Sequence, residues 1–174
     1  MSASETAIPA VTLADLPLAE HGNGAHFQAR AAQLGPLLGL RGLGARLVEL
    51  PPGKRAWPRH HHYANEELVV ILEGRGTWRF GSQRRPVAAG DVLGAPAGGP
   101  ETAHQLENDS DVPLRYLVVS TMHAPDVMGY PDSGKVAIFA GAPPGGDKAA
   151  RTLEYVGRLG PAAGYWDGED GPEE

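Results

Sequence analysis

The stretch HHHYANEE (residues 60–67) contains two histidines and a glutamate with the types and the spacing of metal ligands. His60 and His62 are two residues apart, so on a strand both imidazoles would point to one side and His61 to the other. Glu67 follows after room for a turn and can return to the first side on the next strand. Two neutral imidazoles and one carboxylate on a shared face suit a divalent ion with open coordination positions. The alternative is a solvated histidine run beside an unrelated glutamate.

The elements that must position these residues are short strands. EELVVILEG (66–74) predicts a strand rich in β-branched residues, and GTWRFG (76–81) predicts its hairpin partner. GLGARLVEL (42–50) predicts a strand that stops at a Pro-Pro-Gly turn. Strands are also predicted within 84–99, 102–108, 113–121 and 135–141, whereas 25–34 and 151–159 could each be a strand or a short helix. Many short strands separated by turns predict an all-β sandwich or a closed barrel.

The strand at 66–74 also bears on assembly. Glu67, Val69 and Ile71 share one face of it, and Leu68, Val70 and Leu72 share the other. Both faces are largely apolar, so both should be covered. In a single barrel only one face looks inward, and the N-terminal segment or a second subunit would have to cover the other. We therefore predict a homodimer.

Length and composition limit the remaining classes of protein. A chain of 174 residues suits one domain, and its 24 glycines and 16 prolines fit a fold dense in turns. There is no cysteine, which excludes disulfides and thiolate metal sites. The net charge is −6, and five of the 21 acidic residues lie in the last eight positions, so no basic surface for nucleic acid is expected. No signal peptide or membrane span is predicted, and we expect a cytoplasmic protein with no membrane partner.

Two motifs resemble those of the cupin superfamily. The first is a leading Gly, a gap that is one residue longer here than usual, His-x-His, a short gap, Glu, six residues and Gly. The second is Gly, five residues, Pro-x-Gly, then His, three residues and Asn. The gap before the last histidine is longer here than is usual in the family. The matching residues are Gly53, His60, His62, Glu67 and Gly74 for the first motif, and Gly90, Pro96, Gly98, His104 and Asn108 for the second.

The resemblance implies a cupin double-stranded β-helix, which is a jelly-roll barrel, with N- and C-terminal extensions. It divides the chain into an extension at 1–40, a barrel core at 41–125, and a second extension at 126–174 that ends in the acidic tail. It also implies that His60, His62, Glu67 and His104 bind one divalent metal ion, which could be Mn, Fe, Ni or Zn. On an octahedral ion, four such ligands leave two positions open for a substrate.

From about residue 40 onward the chain resembles bacterial single-domain cupins, some of which carry a sugar-phosphate isomerase label. We therefore expect a small-molecule enzyme that uses the metal as a Lewis acid, as an isomerase or lyase on a hydroxy-carbonyl metabolite that is phosphorylated in one version of the hypothesis. A non-haem iron dioxygenase and a non-catalytic ligand- or metal-binding cupin are the alternatives.

Residues for catalysis and substrate binding are less sharply predicted. Glu49 lies on the strand before the histidines and is the candidate base if it faces inward. Arg46 and Arg59 are candidates for binding an anionic substrate, Arg59 together with Lys54 and Arg55 at the barrel mouth. An aromatic wall would include Trp57, Trp78 and Tyr116, while Tyr130 and Lys135 would lie in a loop after the barrel strands.

Overall fold

Short antiparallel strands make up nearly all the regular structure, as the sequence predicts. The structure is a computed structural model that describes residues 7–169 and 171. The first six residues of the predicted N-terminal extension, and Asp170, Glu173 and Glu174 of the acidic tail, lie outside the described residues. No helix in the described part of the chain is long and apolar enough to cross a membrane.

Thirteen strands and three short 3-10 helices occur within the described residues. The two segments left open between strand and helix, 25–34 and 151–159, both contain strands. The 3-10 helices are Leu13–Asp15, Pro100–Thr102 and Lys148–Ala150. The strands are β1 (Ala19–Asn23), β2 (Phe27–Gln33), β3 (Leu43–Leu50), β4 (His61–His62), β5 (Glu67–Glu73), β6 (Arg75–Phe80), β7 (Gln83–Ala88), β8 (Val92–Ala95), β9 (His104–Glu107), β10 (Leu114–Thr121), β11 (Asp126–Tyr130), β12 (Lys135–Ala140) and β13 (Leu153–Gly157).

The strands form three sheets. The largest has the order β1-β2-β3-β10-β5-β8, and a three-stranded sheet has the order β7-β6-β9. The main hydrophobic core is built from residues of these two sheets, among them Leu50, Ile71 and Leu114, so it lies between them. A four-stranded sheet of order β13-β12-β11-β4 has a smaller apolar cluster around Met128 and Phe139. β2 pairs with β3, so hydrogen bonds cross the predicted domain boundary at residue 40.

The predicted hairpin between residues 66–74 and 76–81 is wrong. β5 pairs with β10 and β8, whereas β6 pairs with β7 and β9. The chain changes sheets at Gly74, whose φ is +82°. A Cβ at this position would lie 2.2 Å from the carbonyl oxygen of Pro113, so only glycine fits the crossing. The motif glycine therefore joins two sheets rather than closing a turn within one.

The alternation predicted for β5 is present, but its outer face is only partly covered. Val69 and Ile71 are buried, while Leu68 is 45% exposed and Val92 on the neighbouring edge strand is 61% exposed. The N-terminal segment reaches the outer face near β10, where Arg115 donates a hydrogen bond of 2.9 Å to the carbonyl of Leu13. The homodimer stays a prediction, and the exposed part of this face is where it would be tested.

The strand predicted within 135–141 is present as β12, and Tyr130 and Lys135, which were predicted to lie in a loop, instead flank the turn that joins β11 to β12. Tyr130 ends β11 and Lys135 begins β12, and the two strands pair along their whole length. β11 also pairs with β4, with Met128 opposite His62. The four-stranded sheet thus attaches directly to the strand that carries the histidines.

Candidate metal centre

Strand pairing brings the motif histidines together. His60 and His104 form an antiparallel bridge, in which each backbone N–H donates to the other's carbonyl at 3.1 and 2.8 Å. His62 follows on β4, and Glu67 begins β5. Single donor atoms of His60, His62 and Glu67 all lie within 4.8 Å of one another, close enough to hold one ion. The ring of His104 lies 4.7 Å from that of His60, between centroids.

Each of these imidazoles has its Nδ1 facing an oxygen. Nδ1 of His60 lies 2.8 Å from the Pro58 carbonyl, that of His104 lies 3.1 Å from the Thr102 carbonyl, and that of His62 lies 2.6 Å from Oδ2 of Asp126. Because these oxygens accept hydrogen bonds, we assign the proton of each neutral ring to Nδ1. The lone pair is then on Nε2, which is the tautomer that a metal requires.

The Nε2 atoms point into the space around Glu67. Nε2 of His62 is buried and has no hydrogen-bond partner among the described residues, and it lies 3.9 Å from Oε1 of Glu67. Nε2 of His104 lies 2.8 Å from Oε2 of the same carboxylate. A neutral His104 cannot donate to Thr102 and Glu67 at once, because it carries one N–H. A divalent cation between the imidazoles and Glu67 would satisfy these atoms, so the residues fit a metal.

The protonation states of His60 and Glu67 favour ligation. Burial, together with the nearby His104, lowers the pKa of His60 to about 3, so this ring is neutral at neutral pH. Burial by itself would raise the pKa of Glu67, but its contact with His104 and its closeness to the other two histidines lower it to about 2. Neutral imidazole and ionised carboxylate are the forms that bind Mn, Fe, Ni and Zn.

Asp126 was missed by the sequence reasoning. It is the first residue of β11 and fully buried, and it shares a strand face with Met128, which pairs with His62. Its hydrogen bond to His62 fixes the ring and the tautomer, in the manner of the outer partners of metal-bound histidines. An outer partner of this kind is generally expected, but nothing in the sequence identified which of the acidic residues supplies it.

His61 behaves differently from its neighbours. Its side chain does not line the cavity at the metal group, and its Nδ1 lies 2.9 Å from the carbonyl of Gly98. A Cβ on Gly129 would lie 2.1 Å from Nε2 of this ring, so glycine is required where β11 passes it. Strand alternation therefore separates His61 from His60 and His62, as the sequence predicts.

The metal group lies at a cavity of about 450 Å³, a size that suits a small metabolite. Arg46, Trp57, Trp78 and Tyr116 line it, as their predicted roles require. Burial raises the pKa of Tyr116, with the charge of Glu67 acting in the same direction, so its hydroxyl stays protonated at neutral pH. Sequence reasoning missed the cavity-lining residues Lys148 and Arg151, whereas Tyr130, which it placed in a loop as a further candidate for the pocket, also lines the cavity.

Four residues predicted to be at the site lie away from the cavity. Glu49 lies on the opposite face of β3 from Arg46, does not line the cavity, and accepts a hydrogen bond of 2.8 Å from Arg30. It is therefore not placed to act as the base. Arg59 is bound to Asp132 at 2.9 Å and to the Gly81 carbonyl at 3.0 Å, outside the cavity.

Lys54 and Arg55 are also away from the cavity mouth. Lys54 donates to the Ala25 carbonyl, and Arg55 forms an ion pair of 2.9 Å with Glu107. Basic residues adjacent in sequence to the histidines thus bind neighbouring loops and strands. The bases that reach the cavity come instead from β3 and from residues beyond 140.

Antiparallel sheets that pack across one core are the arrangement of jelly-roll proteins, and here a His/Glu group lines the cavity inside. Residues 46–120 match the cupin domain family. This part of the chain is a cupin domain, and the nearly all-β, cupin-type fold predicted from the sequence is confirmed.

Solved structures and a curated relative extend the comparison. One solved structure is described as a sugar phosphate isomerase of a cupin superfamily and comes from Silicibacter pomeroyi. It is 26% identical to this chain with a TM-score of 0.69, and the match covers 86% of this chain and 92% of that one. A provisionally named sugar phosphate isomerase of Acidithiobacillus ferrooxidans is 29% identical with a TM-score of 0.68, over 75% and 86%. An oxalate-binding protein of Thermotoga maritima is 32% identical over 72 residues, 41% of this chain and 56% of that protein. This chain spans about half the length of the curated relatives that it matches.

Proposed function

We propose that this protein is a metal-dependent enzyme that isomerises or cleaves a small hydroxy-carbonyl metabolite. The observation that carries the proposal is the metal group itself. Its imidazoles each have Nδ1 facing an oxygen, and His62 and His104 direct Nε2 toward Glu67, at a cavity large enough for a metabolite. Similarity to two structures named as sugar phosphate isomerases supports this reaction class over others.

The residues that would hold the metal are His60, His62, Glu67 and His104. When bound, a divalent metal would supply Lewis-acid polarisation of a substrate carbonyl. Around it, Tyr116 can donate its hydroxyl proton to a substrate oxygen, because burial keeps that group neutral. Trp57 and Trp78 form apolar walls that exclude water from the reacting end.

The test is a reconstitution experiment. Protein stripped of metal with a chelator is reloaded separately with Mn, Fe, Ni or Zn and incubated with aldose and ketose phosphates in D₂O. Isomerisation through an enediol exchanges a carbon-bound proton with solvent, so deuterium incorporation seen by NMR, present with metal and absent after stripping, is the expected result. Equal incorporation by the stripped protein would contradict the metal-dependent mechanism.

One observation favours a second function. The similarity to an oxalate-binding protein supports a cupin that captures a small carboxylate without turnover. Oxalate titrated into the reloaded protein, with no consumption over hours, would favour that function. The iron-loaded sample with O₂ uptake as the readout covers the dioxygenase alternative.

A further inference from the structure

Three basic side chains line the same cavity as the metal group. We call Arg46, Lys148 and Arg151 the cation cluster. Arg46 belongs to β3, whereas Lys148 and Arg151 lie in the C-terminal segment, beyond the residues that match the cupin domain family. The acidic residues that line the cavity are Glu67 and Asp126, and both already contact histidines. The cavity therefore holds cationic groups that its own carboxylates do not neutralise.

Arg46 is held in the wall beside the metal group. It pairs with Val118 on β10, which pairs with Val69 on β5, two residues from Glu67. Its guanidinium lies 5.5 Å over the ring of Trp57, and it makes no hydrogen bond or ion pair with any described residue. Burial lowers its pKa, but the charge of Glu67 opposes that shift. An aromatic ring rather than a carboxylate positions this arginine, so its N–H donors remain available.

The loop after β12 passes against Arg46 and continues to the other two bases that line the cavity. Gly145 has a φ of +89°, and a Cβ there would lie 2.7 Å from Nη2 of Arg46. Glycine thus permits the loop to pass directly against the guanidinium. Lys148 follows three residues later, is exposed and lines the cavity.

The side chain of Arg151 is largely buried. Its side chain is 9% exposed, its guanidinium carbon lies 4.7 Å from the centre of the Phe139 ring, and its Nη1 donates to Glu154 at 2.7 Å. Its Nε is buried and has no hydrogen-bond partner among the described residues. Leaving such a charged donor unsatisfied is costly, so a ligand oxygen is the expected partner.

We propose that the cation cluster binds the phosphate group of a phosphate-monoester substrate. A phosphate monoester carries nearly two negative charges and three acceptor oxygens. A ligand carboxylate carries one charge and two oxygens, so phosphate is the better match for two guanidinium groups and an ammonium. The location of the substrate's other end at the metal group rests on the proposed function. Phosphate binding itself does not, because the cation cluster contains no metal ligand.

The experiment is calorimetric titration of inorganic phosphate into metal-stripped protein. We expect saturable binding by the unaltered protein, weakened about tenfold or more by Lys148→Gln and by Arg151→Gln, since each removes a charge-assisted bond. Arg30→Gln is the matched control, because Arg30 is an exposed arginine that pairs with Glu49 outside the cavity. It should bind phosphate as the unaltered protein does. Lys148 is exposed, so its variant keeps the test valid if Arg151→Gln fails to fold.

Three results would overturn the proposal. The first is the absence of phosphate binding by the stripped protein, and the second is equal phosphate binding by the unaltered protein and both cavity variants. The third is acetate binding with the same affinity as phosphate and the same dependence on Arg151, which would make the ligand a carboxylate. Failure of the isomerase assay would leave this result untouched, because the titration uses neither metal nor turnover.

Discussion

The metal group and the cation cluster share one cavity but are built differently. The metal group is carried by strands β4, β5 and β9 and by His60 beside them, and hydrogen bonds hold each imidazole at Nδ1. The cation cluster takes one residue from a strand and two from the loop segment after β12. Strand register determines the positions of the residues in the metal group, whereas the positions in the cation cluster depend on the conformation of one loop segment. Metal binding and anion binding should therefore respond to different mutations.

Asp126 connects the two regions. It belongs to the C-terminal four-stranded sheet, which also leads to Lys148 and Arg151, yet its side chain holds His62. The C-terminal segment thus contributes to the orientation of a metal ligand as well as to the cavity wall.

The largest effect is expected from Glu67→Gln. The amide would replace the carboxylate that faces both His62 and His104. Removing a residue that only holds a metal ligand lowers metal affinity by roughly 10–100-fold, so removing this proposed ligand should lower it by more. Metal content after purification, with chelator competition, measures this. Glu66→Gln is the control, since Glu66 is exposed and adjacent. Retention of full metal content by Glu67→Gln would refute the ligand set.

Asp126→Asn should lower metal affinity by about 10–100-fold. The amide has one acceptor oxygen and no charge, so it holds the His62 ring and its tautomer less firmly. The same chelator competition gives the value, and Asp132→Asn, which alters a partner of Arg59 outside the cavity, provides the comparison. Unchanged affinity would mean that the C-terminal sheet does not influence the metal group.

Gly129→Ala should destabilise the fold by about 1–3 kcal/mol, because the new methyl group would overlap His61 where β11 passes β4. Chemical denaturation followed by circular dichroism measures the change. Gly42→Ala has open space around the new Cβ and no positive φ, so it should have a much smaller effect. If the two variants were equally stable, the packing of β11 against His61 would be incorrect.

The smallest effect is expected from Glu49→Gln. Its side chain pairs with Arg30 at a partly exposed site on the far side of β3, where an ion pair contributes at most about 1 kcal/mol. Metal content, phosphate binding and turnover should all match those of the unaltered protein. A large loss of turnover with full metal content would restore Glu49 as the base.

The local sequence pattern correctly predicted the strand face of residues whose partners are close in sequence. Period-2 alternation separates His61 from His60 and His62, and it directs Glu67, Val69 and Ile71 to one face, because successive strand side chains point to opposite sides. The same rule failed for Glu49, since its strand was recognised but the inward face was not. The hairpin at Gly74 failed because a two-strand pattern does not reveal that the chain changes sheets.

The amino-acid sequence alone predicted most of the strands, the motif histidines and the glutamate, and the resemblance linked them to His104. These depend on short-range periodicity and on motif spacing. Only the tertiary structure decided that Asp126 holds His62, that Arg59 is bound outside the cavity, and that Lys148 and Arg151 enter it. Those contacts join residues far apart in the chain, and their partners are selected by sheet pairing and loop closure rather than by any local preference.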